Sequence, residues 1–359
     1  MTTPYPGLRP FRSHESHLFF GRDSFITQLT EKLNTHYFIS VVGDSGCGKS
    51  SLVRAGLLAR LQIIGADGVE FWRIATMRPG SQPFSNIAAA LLNKKTSDTG
   101  GEEFVLREEY LKKHSVEEQQ SVTHLAQLLR KDLKTSYQKL ETLLPADHNL
   151  LIVVDQFEEL FHHAEKGVQQ KEEVVDFIQW LLTTAQAKSK TYIVITMRAD
   201  YLEECAAYNN LIETINDGFF QIPHLNREQL RETIELPARM YEGEVEPKLV
   251  KCLLDHIEEL GTDCRPDHLP LLQYALMQMW MRVDTEPKKL TLGHYEEIGG
   301  NLATVLTWMA DQIYNGSTDD EKKIIEILFR RLTQKEGTHY IRHPVQLKEI
   351  NKLANVSLS

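Results

Sequence analysis

The segment FISVVGDSGCGKSSLVRAGLL, residues 38–58, restricts the fold more than any other stretch of the chain. Gly43, Gly46, Gly48, Lys49 and Ser50 satisfy G-x-x-x-x-G-K-[ST], the spacing of a phosphate-binding loop. Such a loop, here Gly43, Asp44, Ser45, Gly46, Cys47, Gly48, Lys49, Ser50 and Ser51, curls backbone N–H groups around phosphate oxygens. Its glycines allow this because they bring no Cβ. The flanks agree: Phe38 to Val42 reads as a buried strand, and Leu52, Val53, Leu57, Leu58 and Leu61 recur at helical spacing. A helix from about Ser50 to Leu61 points its positive end at the same phosphates. Lys49 then reaches the β- and γ-phosphates, and the Ser50 hydroxyl ligates Mg²⁺.

Strands and helices alternate further along. Strands are expected over 37–42, 69–77, 150–154 and 192–196, with helices over 24–33, 84–92 and 174–185. That alternation predicts an α/β fold, a parallel sheet with helices on both faces. Between about 94 and 144 the chain is charged and Gln-rich, with Leu125, Leu128, Leu129 and Leu133 at helical spacing, which predicts a largely exposed helical insertion. After Pro223 the strand signal fades. Helices are expected at 227–240, 247–260, 269–281, 295–297 and 303–314, and Ser317-Thr318-Asp319-Asp320 caps one more. Residues 1–20, rich in proline and aromatics, are too short for a core of their own and are expected to pack on the rest of the chain.

A second constellation is LLIVVDQFEELF, 150–161, the form of a Walker B strand. An acidic residue at the C-terminal end of a buried strand lies at the ligand-binding edge of the sheet, where Asp155 can hold the Mg²⁺ shell. Hydrolysis also needs a group that orients or deprotonates water. The position after the aspartate is Gln156, so the candidates are Glu158 and Glu159, at least one of them a surface carboxylate. The next strand, TYIVITMRAD, ends in Arg198, whose guanidinium can reach a γ-phosphate; the competing use is a salt bridge to Asp200 or Asp155.

Taken in order, PYPGLRPF, FFGRD, GDSGCGKSSLVRAGLL, RPG at 78–80, VVDQFEELF, VITMRADYL, LPLLQYALMQMW and LTLGHYEEIGG span residues 4–300. With them the chain resembles the STAND class of P-loop NTPases, relatives of the AAA+ ATPases, and more narrowly the first class of the novel STAND NTPases of bacteria. The resemblance implies a P-loop core at 21–222 with the insertion at 93–146, an α-helical lid at 223–285 and a partial winged-helix-like domain at 286–359. It puts Arg22 near the adenine and ribose, Pro270 at the start of a lid helix that closes on the nucleotide, and Arg198 in the role of sensor. STAND proteins hold ADP in a closed state, exchange it for ATP when a sensor domain meets its trigger, oligomerise, and reset by hydrolysis. The resemblance therefore implies ATP or ADP with Mg²⁺, slow ATPase activity, self-association on ATP, and a place in signalling or phage defence. Sensor repeats, often WD40 propellers, or an effector domain accompany such cores; neither is evident here, so a partner or a longer chain is expected to supply them.

Other classes are constrained by composition. At 359 residues, 42% hydrophobic and 25% charged, the chain suits two or three globular domains. No apolar run reaches the ~18 residues of a membrane span, and LPLLQYALMQMWM reads as a buried helix. MTTPYPGLRPF lacks the regions of a signal peptide, and cysteines at 47, 205, 252 and 264 are too sparse for a disulfide framework, which points to a reducing cytoplasm. Cys252, Cys264 and His268 fit no common zinc spacing, and His162-His163 is expected to face solvent. A net charge of −10 weighs against nucleic acid as the main partner, and Arg330-Arg331 reads as a solvated helix face. The alternative is still an AAA+ DNA-binding ATPase of the origin-recognition kind, which joins the same core to a winged helix. A small-molecule kinase would need an acceptor pocket for which no residues argue.

Overall fold

Every residue of Phe38–Gly43 (β1) is buried, as a strand covered on both faces must be. It pairs in parallel with Thr191–Arg198 (β4) on one side and Phe219–Gln221 (β5) on the other. With Phe71–Met77 (β2) and His148–Val154 (β3) the order across the sheet is β2-β3-β4-β1-β5. The α/β class and parallel sheet expected from the alternation are therefore observed. The Walker B strand β3 is not the neighbour of β1, because β4 lies between them. The computed structural model describes residues 3–64, 71–92, 95–96, 102–103, 106, 110, 121–259, 268–336 and 339–342.

The period of two along each strand sorts its side chains onto two cores. Phe38, Val42, Leu150, Ile152, Val154, Ile193 and Ile195 face one. Ile39, Val41, Leu151, Val153 and Val194 face the other. Asp23–Leu33 (α1) and the rod formed by Lys49–Ser51, Leu52–Leu58 and Ala59–Ile64 (α2) cover the second face through Leu29, Leu33, Leu52, Val53 and Leu57. Pro83–Leu92 (α3), Ser121–Lys131 (α4), Glu159–Ala164 (α5), Val168–Gln186 (α6) and Leu211–Asp217 (α7) contribute to the first.

Two expectations need correcting. The insertion is not largely exposed where it is described: Leu125 and Leu129 of α4 are buried in the first core, and the Trp180 indole donates to Ser136 Oγ at 3.0 Å. The leucine spacing marks a core stripe there, while most of 93–120 lies outside the described residues. The strand β5 has no counterpart among the expected strands. It exists because Gly218 lets the chain lie against β1. Its carbonyl accepts the Ser40 N–H at 3.0 Å, and a Cβ there would stand 1.9 Å from the Phe38 carbonyl oxygen.

The chain divides into two units, Met1–Leu292 and Gly293–Ser359. The first also contains Arg227–Met240 (α8), Pro247–Glu259 (α9) and His268–Arg282 (α10), within about a residue of the expected lid helices. The lead-in packs on them: the fully buried Tyr5 donates its hydroxyl to the Ile234 carbonyl at 2.5 Å and sets its ring edge-on to Trp280. Further along, the Phe11 N–H donates to Ser51 Oγ at 3.2 Å. The second unit holds Val305–Gly316 (α11) and Asp319–Leu332 (α12), then an antiparallel pair Thr333–Glu336 (β6) and His339–Arg342 (β7). No helix among the described residues is long and apolar enough to cross a membrane.

Gly218→Ala is expected to cost about 3 kcal/mol or more, since relief of the contact must move backbone rather than a side chain. Chemical denaturation of the first unit's signal should show the lower midpoint.

Candidate functional site

At the C-terminal edge of the sheet the chain leaves β1 at Gly43 and turns through Gly46 (φ 71°) and Gly48 (φ 97°), a conformation that side chains with a Cβ rarely adopt. The rod α2 begins at Lys49. The Lys49 ammonium donates to the carbonyls of Gly43 (2.8 Å) and Asp44 (2.6 Å), so it lies back along the loop. Asp44 is half exposed, with His224 Nε2 at 3.8 Å from its carboxylate. Cys47 is buried, and burial raises its thiol pKa.

Asp155 directly follows β3, with its side chain 2% exposed. Three side chains compensate the buried charge. Ser50 Oγ and Thr196 Oγ1 donate to Oδ1 at 2.7 and 2.6 Å, and the Arg54 guanidinium donates to Oδ2 at 2.8 Å. The structure thus brings Ser50 of the loop helix to Asp155 and adds two residues that sequence reasoning misses. A signal exists for each: Arg54 stands four residues after Ser50, on the same helix face, and Thr196 stands two before Arg198, on the same face of β4.

Immediately after Asp155 the backbone turns left-handed at Gln156 (φ 61°). The Gln156 and Phe157 N–H groups donate to the Thr196 hydroxyl and carbonyl, both at 2.9 Å, which fixes the turn. The turn separates the two glutamates. Glu159 Oε2 accepts the Gly80 N–H at 3.0 Å and so braces the Arg78-Pro79-Gly80 turn that ends β2. Glu158 is buried, and its Oε2 has no hydrogen-bond partner among the described residues. Burial raises its pKa, while backbone N–H groups and the charges of Lys49 and Arg198 oppose the shift.

Arg198 ends β4 directly across from Gly43 in the register. Its guanidinium is paired with Asp200, Nε to Oδ1 at 3.0 Å and an NH₂ group to Oδ2 at 2.5 Å, and is 41% exposed. Arg22 is not a surface residue. It is buried, its two NH₂ groups donate to the carbonyls of Pro223 (2.6 Å) and Cys47 (3.0 Å), and desolvation brings its pKa down to about 10. Its guanidinium therefore braces the loop against Pro223, in the segment that leads into α8. Pro270 stands in the first turn of α10 and takes part in none of these hydrogen bonds. Ser51 meets the lead-in through Phe11, and Ser45 lies within the turn between Gly43 and Gly46. His162 is exposed as expected, but His163 is buried, because adjacent helical residues point about 100° apart. Cys264 lies outside the described residues.

The family model of Novel STAND NTPase 1 matches residues 4–357. The chain belongs to that family. Its P-loop, its parallel sheet and its nucleotide-binding character are those of a family of NTPases. Among solved structures, the Aeropyrum pernix ORC1 protein in complex with DNA is similar over 94% of this chain and 77% of its own, at 13% identity and a TM-score of 0.51. The Aeropyrum pernix ORC2 protein, in its ADPNP-ADP complexes, matches over 98% and 80%, at 13% identity and a TM-score of 0.47. At that identity the ORC1 likeness speaks to the fold. No curated protein matches this family member.

The raised Glu158 pKa gives a pH test. Above the raised folded-state pKa the ionised carboxylate is held in a site that disfavours it, and below the unfolded value near 4.5 it is protonated in both states. Glu158→Gln should therefore raise stability at pH 7 relative to wild type. The gain should shrink as pH falls through the window between the raised value and 4.5, read by denaturation at a series of pH values.

Proposed function

We propose that this protein is an ATP-binding, slowly hydrolysing switch, closed on ADP and open to self-association on ATP, that acts in signalling or in defence against phage. One observation carries it: Arg198 lies in register with Gly43 while β4 also supplies Thr196 to Asp155. A terminal phosphate held by the loop would therefore meet the same strand that anchors the Walker B carboxylate. Arg198 would exchange Asp200 for the γ-phosphate, an interaction ADP cannot offer, and that difference is what a ligand needs in order to shift a two-state equilibrium. The Arg22 brace between Cys47 and Pro223 supports a lid that senses the loop.

The donor set suits Mg²⁺, which takes hard oxygen ligands: Ser50 Oγ and Asp155 Oδ1 lie 2.7 Å apart. Those two residues would hold it, and when bound it offsets negative charge on the phosphate oxygens. Lys49 would leave the Gly43 and Asp44 carbonyls for the β- and γ-phosphates. Glu158, buried and incompletely bonded, is the carboxylate that takes the proton from water, whereas Glu159 is committed to Gly80. The absence of a glutamate at Gln156 is consistent with slow turnover.

The hairpin after α12 favours a second reading, a DNA-binding ATPase. The charge on α12 weighs against it: Asp319, Asp320 and Glu321 fill the first turn, the end that a recognition helix presents to DNA. ATP hydrolysis and light-scattering mass decide between the two. Lys49→Ala should lose nucleotide binding, and Glu158→Gln should bind ATP but turn over about a hundredfold more slowly. Glu159→Gln should stay near wild type, and Arg198→Ala should bind ATP without assembling. Assembly of Arg198→Ala at the wild-type level overturns the sensor role. Many-fold stimulation of hydrolysis by duplex DNA replaces the switch with the DNA-binding reading.

A further inference from the structure

Ser50 and Arg54 project from one face of α2 to opposite oxygens of a single carboxylate, Oδ1 and Oδ2 of Asp155. Thr196 shares Oδ1, so the guanidinium is what engages Oδ2. Among the described residues, Arg54 is also the group that forms an ion pair with Asp155. The backbone beneath it is confined. Leu52–Leu58 is wound as a π-helix, a form that concentrates at functional sites, and α1 presses on it at Gly56, where a Cβ would lie 2.7 Å from Ile26 Cγ1. Arg54 is only 29% exposed and its Nε is buried without a hydrogen-bond partner among the described residues. The side chain is therefore held for the contact with Asp155 rather than for solvent.

A buried carboxylate beside the phosphates of a nucleotide repels them unless a cation stands nearby. A bound metal provides that charge only while it is present, whereas a guanidinium keeps its charge at any physiological pH. We propose that Arg54 is a positioning residue that supplies the standing counter-charge to Asp155, so that the site retains a nucleoside diphosphate without Mg²⁺. Oδ1 and Ser50 then remain available to a metal, which adds to a site already neutralised. This rests on the proposed role of the loop in binding nucleotide. A residue that merely braced α2 would affect stability but not the response to metal.

The test uses the full chain stripped of nucleotide, with fluorescently labelled ADP titrated in EDTA and in Mg²⁺. Wild type should change affinity by less than about threefold between the two buffers, and Arg54→Ala should lose about tenfold in EDTA and recover most of it in Mg²⁺. Arg54→Lys, which keeps the charge, should follow wild type. An Arg54→Ala protein with the wild-type metal response, or with an equal loss in both buffers, overturns the proposal. Should Arg54→Ala fail to fold, Arg54→Gln, which removes the charge but keeps a polar side chain of similar reach, should lose about tenfold in EDTA and recover most of it in Mg²⁺. An Arg54→Gln protein with the wild-type metal response overturns the proposal equally. Absence of ADP binding by wild type in either buffer would instead remove the nucleotide-binding role itself, a result distinct from the other two.

Discussion

A carboxylate removed from water is costly, and Asp155 is tolerated because three elements converge to compensate it. The loop helix gives Ser50 and Arg54, the central strand β4 gives Thr196, and β3 gives the aspartate itself. None of these contacts is local in sequence. β1 and β3 are separated by β4, so their backbones lie roughly 10 Å apart, two strand spacings. The carboxylate closes that gap at the sheet edge. The position of α2 relative to the sheet, and hence the direction in which the loop N–H groups point, depends on it.

Much of this arrangement is legible in the chain. The loop is set by glycine spacing, and the central strands by unbroken apolar runs that only a doubly covered sheet accommodates. The helices α8, α9 and α10 appear as clear 3.6-residue patterns, and the pattern bounds Arg227–Met240 to the residue. What escapes depends on tertiary context. The strand β5 spans only Phe219–Gln221 and is stabilised by its pairing with β1 rather than by propensity. The leucines of α4 look like the thin stripe of an exposed helix because charged neighbours surround them, and only the meeting with the first core shows where they go. Strand order is not written in local pattern, so the place of Arg198 opposite Gly43 emerges only once the sheet is assembled.

The glutamate pair shows how one backbone angle decides between identical side chains. In sequence, Glu158 and Glu159 are equivalent candidates. The left-handed turn at Gln156, fastened on both sides by Thr196, starts the following turn in a direction that buries one carboxylate and leaves the other within reach of Gly80. A residue with a Cβ at positive φ costs free energy, and such strain persists where surrounding hydrogen bonds over-determine it. Here those bonds come from the strand that also carries Arg198, so the strain is located where chemistry is proposed.

Arg22 carries the same logic to the contact between the loop and the segment leading into α8. Its hydrogen bonds go to two backbone carbonyls and no carboxylate, and burial weakens its hold on its proton. A guanidinium in that setting is satisfied only while Cys47 and Pro223 keep their spacing, since a carbonyl that moved away would leave buried donors unpaired. The lead-in adds a second tie between the same parts, Tyr5 to the Ile234 carbonyl of α8 and Phe11 to the Ser51 hydroxyl of the loop helix. Both ties join main chain to side chain, so they depend on the Tyr5 and Ser51 hydroxyls and not on the side chains of Ile234 and Phe11. The loop and the segment leading into α8 are thereby tied by hydrogen bonds at several points, from Arg22, Tyr5 and Phe11.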